Sequence, residues 1–365
     1  MDMGRITVVH TADLHLGSAI RGAPPSIGGQ RRKDLMQTMA GIAETCRQQQ
    51  ADLLLISGDL WDEQYLTRPL VDFVADQFRR IPATSIVIAP GQADPNHPDS
   101  FYREYPWPTN VHIFHEEELA SIWFPHLNAR IYGLAWTGEE APGIPDWNQI
   151  VNSPDSGCQV LIVAYGTPEN LGIPRRVLEM ENVAYVALGG AHKHVAWSRK
   201  VLDPGCPEPL GFSDQGTYGV LLGKVGGPAA SLEFLPCNSR QFHLVEVSTN
   251  GCMDLQAVVA AVRQKLDPLS PKKNLFQVTL TGTRPQGEWQ LGTIADALSE
   301  DIFYVRLTDQ TDTSYDAAAL AAEHSRGVVG RYIAALKGTE AEENIRKRAL
   351  AFGLDALLSG RVDPC

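Results

Sequence analysis

The stretch ITVVHTADLHLG, which spans residues 6–17, decides the fold that we expect for this chain. Its first residues form a short apolar run that is typical of a buried strand. Asp13 and His15 follow directly where that strand would end. In an open α/β sheet, binding sites lie at the carboxyl ends of the strands. The stretch therefore predicts an α/β domain with a functional site immediately after its first strand.

Three further polar segments each follow a predicted strand farther along the chain. They are Gly58-Asp59 after the run at 52–57, residues 90–94 after the run at 85–89, and residues 189–194 after the run at 183–188. Carboxylates and imidazoles that converge at strand ends are the groups that metal-dependent phosphate ester hydrolysis needs. A lone Asp-x-His is common, and a Gly-Asp pair often makes only a turn. The order of all four segments together predicts a metal site.

Strand-like runs alternate with helical patterns over the first two thirds of the chain. Apolar spacing predicts helices over residues 30–49 and 68–80, whereas the proline-rich stretches 95–108 and 138–154 read as loops. A second pattern of strands and helices begins near Phe242 and is followed by helical sequence. We therefore expect three parts, which are an α/β domain at 1–240, a smaller α/β domain at 241–312 and a helical segment at 313–365.

The charge balance limits what the chain can bind by itself. Its 365 residues carry 31 Lys and Arg against 43 Asp and Glu, a formal net charge of −12. Tight autonomous binding to nucleic acid needs a basic face, so this balance argues against it. A nuclease is still allowed, because a metal ion can meet the phosphate and a basic partner can carry the backbone contacts. Apolar runs stay short of the ~18 residues of a membrane span, and a signal-peptide pattern is missing, so we expect a cytoplasmic protein without membrane segments.

The four polar segments follow the order found in the calcineurin-like metallophosphoesterases, which the chain resembles over about residues 5–236. Residues 10–17, HTADLHLG, are similar to the SbcD-type DNA repair exonuclease branch, and so are residues 203–209 and 216–219. The resemblance implies an α/β fold, a β-sandwich flanked by helices, followed by a smaller α/β capping domain and C-terminal helices. The activity that it implies is metal-dependent phosphodiester hydrolysis, as in a DNA exonuclease.

The resemblance also implies a set of ligands around two metal ions. For the first ion, the ligand positions are occupied by Asp13, His15, the shared Asp59 and His192. For the second ion, which also uses Asp59, the remaining positions are occupied by Gln92, Tyr165 and Gly190. Gln is one methylene too long, a phenol with a pKa of about 10 is a poor neutral ligand, and Gly has no side chain.

Ala93 stands at the position of the family's catalytic His, so we assign no catalytic residue with certainty. Loss of such a group typically costs about 10²–10⁴ in rate. We therefore expect one Mn²⁺ or similar divalent ion per chain, and two-metal catalysis that is weakened or lost. A shifted second site that uses Asp94, His97 and His194 is an alternative. In the other interpretation, Asp94 orients its own loop and His194 is exposed.

Aromatic residues near the predicted cleft have two interpretations. They could stack nucleic-acid bases, but such residues more often pack a long loop, and we favour packing. These residues are Trp61, Phe101, Tyr102, Tyr105 and Trp107.

Partners follow from the resemblance. The helices at 30–49 and 68–80 lie where the family pairs across a dimer axis, so we expect a homodimer. The C-terminal helices correspond in place to the segment that grips the coiled coil of an SbcC-like ATPase, and DNA is a further possible partner. Three functions are left open: a weakened SbcD-like exonuclease, a catalytically degenerate scaffold subunit for such an ATPase and DNA, and another phosphoesterase of the superfamily. The capping domain and the motif at 10–17 weigh against the third.

Overall fold

The computed structural model describes residues 4–18, 25–152, 157–226, 230–340 and 342–359. The chain divides into two compact units, residues 1–240 and residues 241–365. Among the described residues, no helix is long and apolar enough to cross a membrane.

Unit 1 contains two six-stranded sheets. Their strands are β1 (Ile6–Thr11), β2 (Leu53–Ser57), β3 (Ser85–Ala89), β4 (Val111–Ile113), β5 (Ala120–Phe124), β6 (Ala129–Gly133), β7 (Gln159–Tyr165), β8 (Val183–Gly189), β9 (Val195–Ala196), β10 (Val201–Asp203), β11 (Gly219–Val225) and β12 (Ser231–Pro236). The first sheet has the order β12-β11-β1-β2-β3-β4 and the second has the order β5-β6-β7-β8-β10-β9. Strands β1 to β4 are parallel, as are β6, β7, β8 and β10. The carboxyl ends of β1, β2 and β3 consequently meet at one edge.

The two sheets face each other across an apolar core. Strand β2 reads LLLIS, and its side chains alternate between two buried clusters. Leu53 and Leu55 join the cluster between the sheets, whereas Leu54 and Ile56 join the cluster under the helices. A strand that is buried on both faces is expected to be apolar throughout, which explains this composition.

Helices cover the outer faces of unit 1. They are α1 (Pro25–Gln48), α2 (Arg68–Arg79), α3 (Phe101–Glu104), α4 (Asn148–Val151) and α5 (Arg175–Glu179). In α1, Leu35, Met39 and Ile42 face the first sheet at helical spacing, as the sequence predicts. In α2, Leu70, Val74 and Phe78 do the same.

The loop predictions at 95–108 and 138–154 are wrong in part. The first stretch contains α3, which begins because the Ser100 hydroxyl accepts a hydrogen bond from the Tyr102 amide. The second contains α4, and residues 153–154 lie outside the described residues. The prediction also missed β4, β5 and β6. Residues in β4 and β5 are mostly half-buried or exposed, so they lack the apolar run that marks β2.

Unit 2 begins with a three-stranded parallel sheet in the order β13-β14-β16. Its strands are β13 (Phe242–Ser248), β14 (Leu275–Thr281), β15 (Thr283–Arg284), β16 (Tyr304–Asp309) and β17 (Asp312–Thr313), and its helices are α6 (Leu255–Leu266), α7 (Leu291–Leu298), α8 (Ala317–Glu323), α9 (Val328–Lys337) and α10 (Glu343–Ser359). Val258, Val262 and Ile294 from α6 and α7 pack on the sheet with Val278 and Leu280. The predicted boundary after residue 312 falls within β17, and the capping and partner-binding roles of this unit stay predictions.

Candidate metal centre

Four ligand-type side chains converge where three strands of unit 1 end. Asp13 and His15 follow β1, Asp59 follows β2, and His192 follows β8. One ligand atom from each of them lies within 4.8 Å of all the others. Asp13, His15 and Asp59 are buried, whereas His192 is half-buried. The structure thus brings together the four residues that the resemblance implies for a first metal ion, with His192 toward solvent.

The backbone at all four residues adopts the left-handed conformation. The φ angles are 50° at Asp13, 46° at His15, 52° at Asp59 and 57° at His192. Residues with a Cβ seldom adopt this conformation, and such strain concentrates at functional sites. Backbone hydrogen bonds between the loops after β1 and β2 hold it in place, from the Asp13 amide to the Gly58 carbonyl (3.1 Å) and from the His15 amide to the Asp59 carbonyl (2.9 Å).

Two buried polar atoms at the centre of the cluster have no hydrogen-bond partner among the residues that the structure describes. They are Asp13 Oδ1 and His15 Nε2. The remaining polar atoms of these two side chains are engaged, since Asp13 Oδ2 accepts from the Gly190 amide (3.0 Å) and His15 Nδ1 lies 2.6 Å from Asp62 Oδ1. Buried polar atoms without a partner are unfavourable. A divalent cation would satisfy both atoms, and two carboxylates with two imidazoles are donors that suit Mn²⁺ and related ions, so the residues present fit one ion.

The charges in the cluster also favour a cation. Burial raises the pKa of Asp13, and the nearby Asp203 and Asp59 carboxylates raise it further. Burial lowers the pKa of His15, but the hydrogen bond with Asp62 and the charges of Asp59, Asp62 and Asp13 outweigh that effect and raise it to about 9. A positive charge is therefore stabilised among these carboxylates.

Two further carboxylates, which the sequence analysis did not single out, support the ligands. Asp62 contacts His15 Nδ1, so it orients the ring and directs Nε2 into the cluster. Asp203 accepts from the Ala191 amide (3.1 Å) and supports the loop that carries His192. The available signal for Asp62 was its position three residues past Asp59, in the loop after β2.

The three predicted second-metal positions do not form a ligand set. The Gln92 side chain is exposed, and Gly190 has no side chain that could bind a metal. The ring of Tyr165 lies against the glycine backbone of the site, since a Cβ on Gly91 would lie 2.9 Å from it and a Cβ on Gly190 would lie 3.1 Å from it. The residues present therefore do not fit a second ion. Ala93 reaches the site through its backbone amide, which donates to Asp59 Oδ1 (2.8 Å).

The proposed substitutes are engaged elsewhere. Asp94 is buried, and its two oxygens accept from the amides of Asp59, Leu60 and Gly91 and from the Tyr102 hydroxyl. These contacts match the interpretation in which Asp94 orients its own loop. His97 pairs with Glu63, while His194 is exposed and its Nδ1 lies 2.7 Å from the Asp203 carbonyl oxygen. Within the described part of the chain, the cluster includes none of these three substitutes.

The aromatic residues near the cleft pack against one another. Trp61 is 1% exposed and stacks on Tyr102 with ring centroids 4.4 Å apart. Tyr102 and Tyr105 are also buried, and Trp107 stacks on Trp61. The prediction of packing is therefore confirmed for these rings, and base stacking by Trp61, Tyr102 or Tyr105 is wrong because their faces are covered.

Comparison with known proteins gives matches in sequence and in structure. The calcineurin-like phosphoesterase family matches residues 6–194, a span that contains all four residues of the cluster. The chain is 24% identical over 341 residues to the uncharacterized metallophosphoesterase YhaO of Bacillus subtilis (strain 168). That match covers 84% of this chain and 82% of the relative.

Two similar solved structures come from other organisms. A dimetal phosphatase from Danio rerio, LOC 393393, is 10% identical with a TM-score of 0.43, over 62% of this chain and 96% of that one. TT1561 of Thermus thermophilus is 13% identical with a TM-score of 0.36, over 60% of this chain and 98% of that one.

Proposed function

The chain belongs to the calcineurin-like phosphoesterase family, and from this premise we propose that it is a metal-dependent phosphodiesterase of the SbcD-like DNA repair exonuclease branch that works with one metal ion. The observation that carries the proposal is the cluster of Asp13, His15, Asp59 and His192 with two unsatisfied buried atoms at its centre. Four ligands on strained backbone, together with buried atoms that only a further group can satisfy, are features of a binding site.

The four residues of the cluster would hold one divalent ion, and we propose Mn²⁺. When bound, such an ion supplies polarisation of a phosphoryl oxygen and activation of water. Asp62 holds the ring of His15 in the orientation that presents Nε2. His192, the half-buried member, places the open side of the cluster toward solvent, where a phosphodiester can approach.

The reaction is expected to be slow. Ala93 has no side-chain group that could donate a proton to the leaving oxygen. A missing general acid typically lowers the rate by about 10²–10⁴. A single ion also cannot clamp both the attacking and the leaving oxygen.

The DNA substrate and the partners are parts of the same proposal. Support for the DNA branch comes from the sequence at residues 10–17, which is similar to that of the SbcD-type exonucleases. We propose a homodimer that uses α1 and α2, and an SbcC-like ATPase that binds α8, α9 and α10. Because the net charge is −12, the partner would supply the basic surface that DNA requires.

A second candidate is a scaffold subunit that binds the same partners without cleaving DNA. Two observations favour it, namely Ala93 at the catalytic His position and the Tyr165 ring among the second-metal positions.

A paired measurement separates the two candidates. The purified chain is loaded with Mn²⁺, freed of excess ion, and assayed for ion content and for cleavage of end-labelled linear DNA. We expect one ion per chain and slow cleavage that His192→Ala abolishes. His194→Ala is the matched control, because His194 lies on the same loop but outside the cluster. One bound ion with cleavage no higher than in His192→Ala would overturn the enzymatic proposal and leave the scaffold.

A further inference from the structure

The side chain of Tyr165 packs on three glycines. Its ring lies against Gly58, Gly91 and Gly190 at the ends of β2, β3 and β8. A Cβ on Gly58 would come closer to the Tyr165 ring than real Cβ atoms approach, and one on Gly190 would lie 3.1 Å from it. Gly58 and Gly190 also have φ angles of 89° and 101°, where residues with a side chain are strained. The backbone therefore leaves room for a large aromatic ring at this point.

A Cβ on Gly91 would meet both Asp59 Oδ1 and the Tyr165 ring, so the ring lies beside the Asp59 carboxylate. Burial and the charge of Asp59 raise the pKa of Tyr165. Asp59 Oδ1 also accepts from the Ala93 amide (2.8 Å), and its Oδ2 lies 3.6 Å from His15 Nε2. The ring of Trp136 meets the Tyr165 ring edge-on, with centroids 5.7 Å apart and planes at 90°. These contacts hold the phenol in one place.

We propose that the ring of Tyr165 closes the second cation position beside Asp59, which makes this a one-ion centre. The inference rests on the proposed function only in that it assumes an ion at the four-residue cluster. It names Tyr165 as the residue that sets the number of ions. A His at position 190 would crowd Tyr165, because its Cβ would lie 3.1 Å from the ring.

The test counts ions with the full-length chain and Mn²⁺ alone. Two variants restore the missing ligands, one with Gln92→Asn and Gly190→His, and the other with Tyr165→His in addition. We expect one ion per chain in the parent and in the variant that keeps Tyr165, and two in the variant that loses it. Low-temperature electron paramagnetic resonance gives a second readout, since two neighbouring Mn²⁺ ions couple magnetically and a single ion does not.

Two ions in the variant that keeps Tyr165, or one ion in the variant that loses it, would overturn the proposal. Position 190 has a strained φ, so a pair that retains Gly190 guards against misfolding. That pair is Gln92→Asn with and without Tyr165→His, and the same difference in ion number is expected. A parent that binds no ion would instead count against the proposed function, so the two failures are distinguishable.

Tyr165→Phe removes the hydroxyl and keeps the ring. Because the ring still fills the position, we expect one ion per chain in this variant, as in the parent. Tyr132→Phe is the control, since Tyr132 is a buried tyrosine of β6 outside the cluster. Two ions per chain in Tyr165→Phe would overturn the role of the ring.

Discussion

The two sides of Asp59 differ in what occupies the space beside the carboxylate. On one side, Asp13 Oδ1 and His15 Nε2 are buried and have no hydrogen-bond partner among the described residues. On the other side, the ring of Tyr165 lies against Gly58, Gly91 and Gly190 and fills the space. The first side needs a ligand from outside, whereas the second is filled by the protein itself. The loss of ligands at a metal position therefore does not by itself leave a cavity, because a neighbouring strand can supply an aromatic side chain that occupies it.

The largest expected effect tests how tightly the filled side is packed. Gly58→Ala places a Cβ at a φ of 89° and into the Tyr165 ring. We expect the free energy of unfolding to fall by about 3 kcal/mol, from backbone strain and overpacking together. Urea denaturation measures this free energy. Gly138→Ala is the control, because a Cβ at that position would have no atom of the described residues within 4 Å.

A double variant shows whether Tyr165 is the cause. In Gly58→Ala combined with Tyr165→Ala, the clash is absent. The double variant should therefore lose less stability than the sum of the two single-variant losses, by about 1 kcal/mol or more. Strict additivity would mean that the filled side is not packed as the structure has it.

The next effect concerns the open side. Asp62→Asn removes the carboxylate that orients His15, and we expect Mn²⁺ affinity to fall about 10–100-fold. Equilibrium dialysis measures it. Asp72→Asn is the matched control, because Asp72 also bonds a side chain, the Tyr105 hydroxyl, but lies outside the cluster. Equal affinity in both variants would contradict the orienting role.

The last effect concerns His10, in the buried core of unit 1. His10 in β1 lies between the sheets, where Nδ1 is 2.7 Å from the Tyr185 hydroxyl and Nε2 is 3.0 Å from the Ser57 hydroxyl. Because Ser57 itself donates to the Ala187 carbonyl, Nε2 carries the His10 proton and Nδ1 accepts from Tyr185. Burial lowers the pKa of His10 to about 3 from the model-peptide value of 6.5.

The sign of the pH effect follows from those two values. Below pH 6.5 the unfolded chain binds a proton that the folded chain does not, so this residue lowers stability as the pH falls toward 3. At pH 5.5 the loss relative to pH 7.5 is about 1.4 kcal/mol. His10→Gln cannot take up this proton, so the parent should lose that much more than the variant in urea denaturation. The same loss in both proteins would show that His10 is protonated in the folded state.

Much of the fold was predictable from local pattern. The runs in β1, β2 and β3 are rich in apolar residues because both of their faces are buried, and α2 carries its apolar residues at helical spacing. Strands such as β4 and β5 were missed because they are partly exposed and short. The helix α3 was missed because its start depends on a single cap at Ser100.

The amino-acid order alone places Asp13, His15, Asp59 and His192 at the ends of strands, because they stand in short motifs directly after apolar runs. It also shows which residues occupy the other ligand positions. One ion per chain stays a prediction. The amino-acid order could not reveal that the ring of Tyr165 occupies the second cation position. The contacts of Tyr165 with Gly58, Gly91 and Gly190 join four segments that are distant in sequence, and only packing brings them together. The same holds for the contact of Asp62 with His15, since a side chain in one loop orients a ligand in another. The ligand residues can be found from short local motifs, whereas the packing around them depends on every segment that contacts the site.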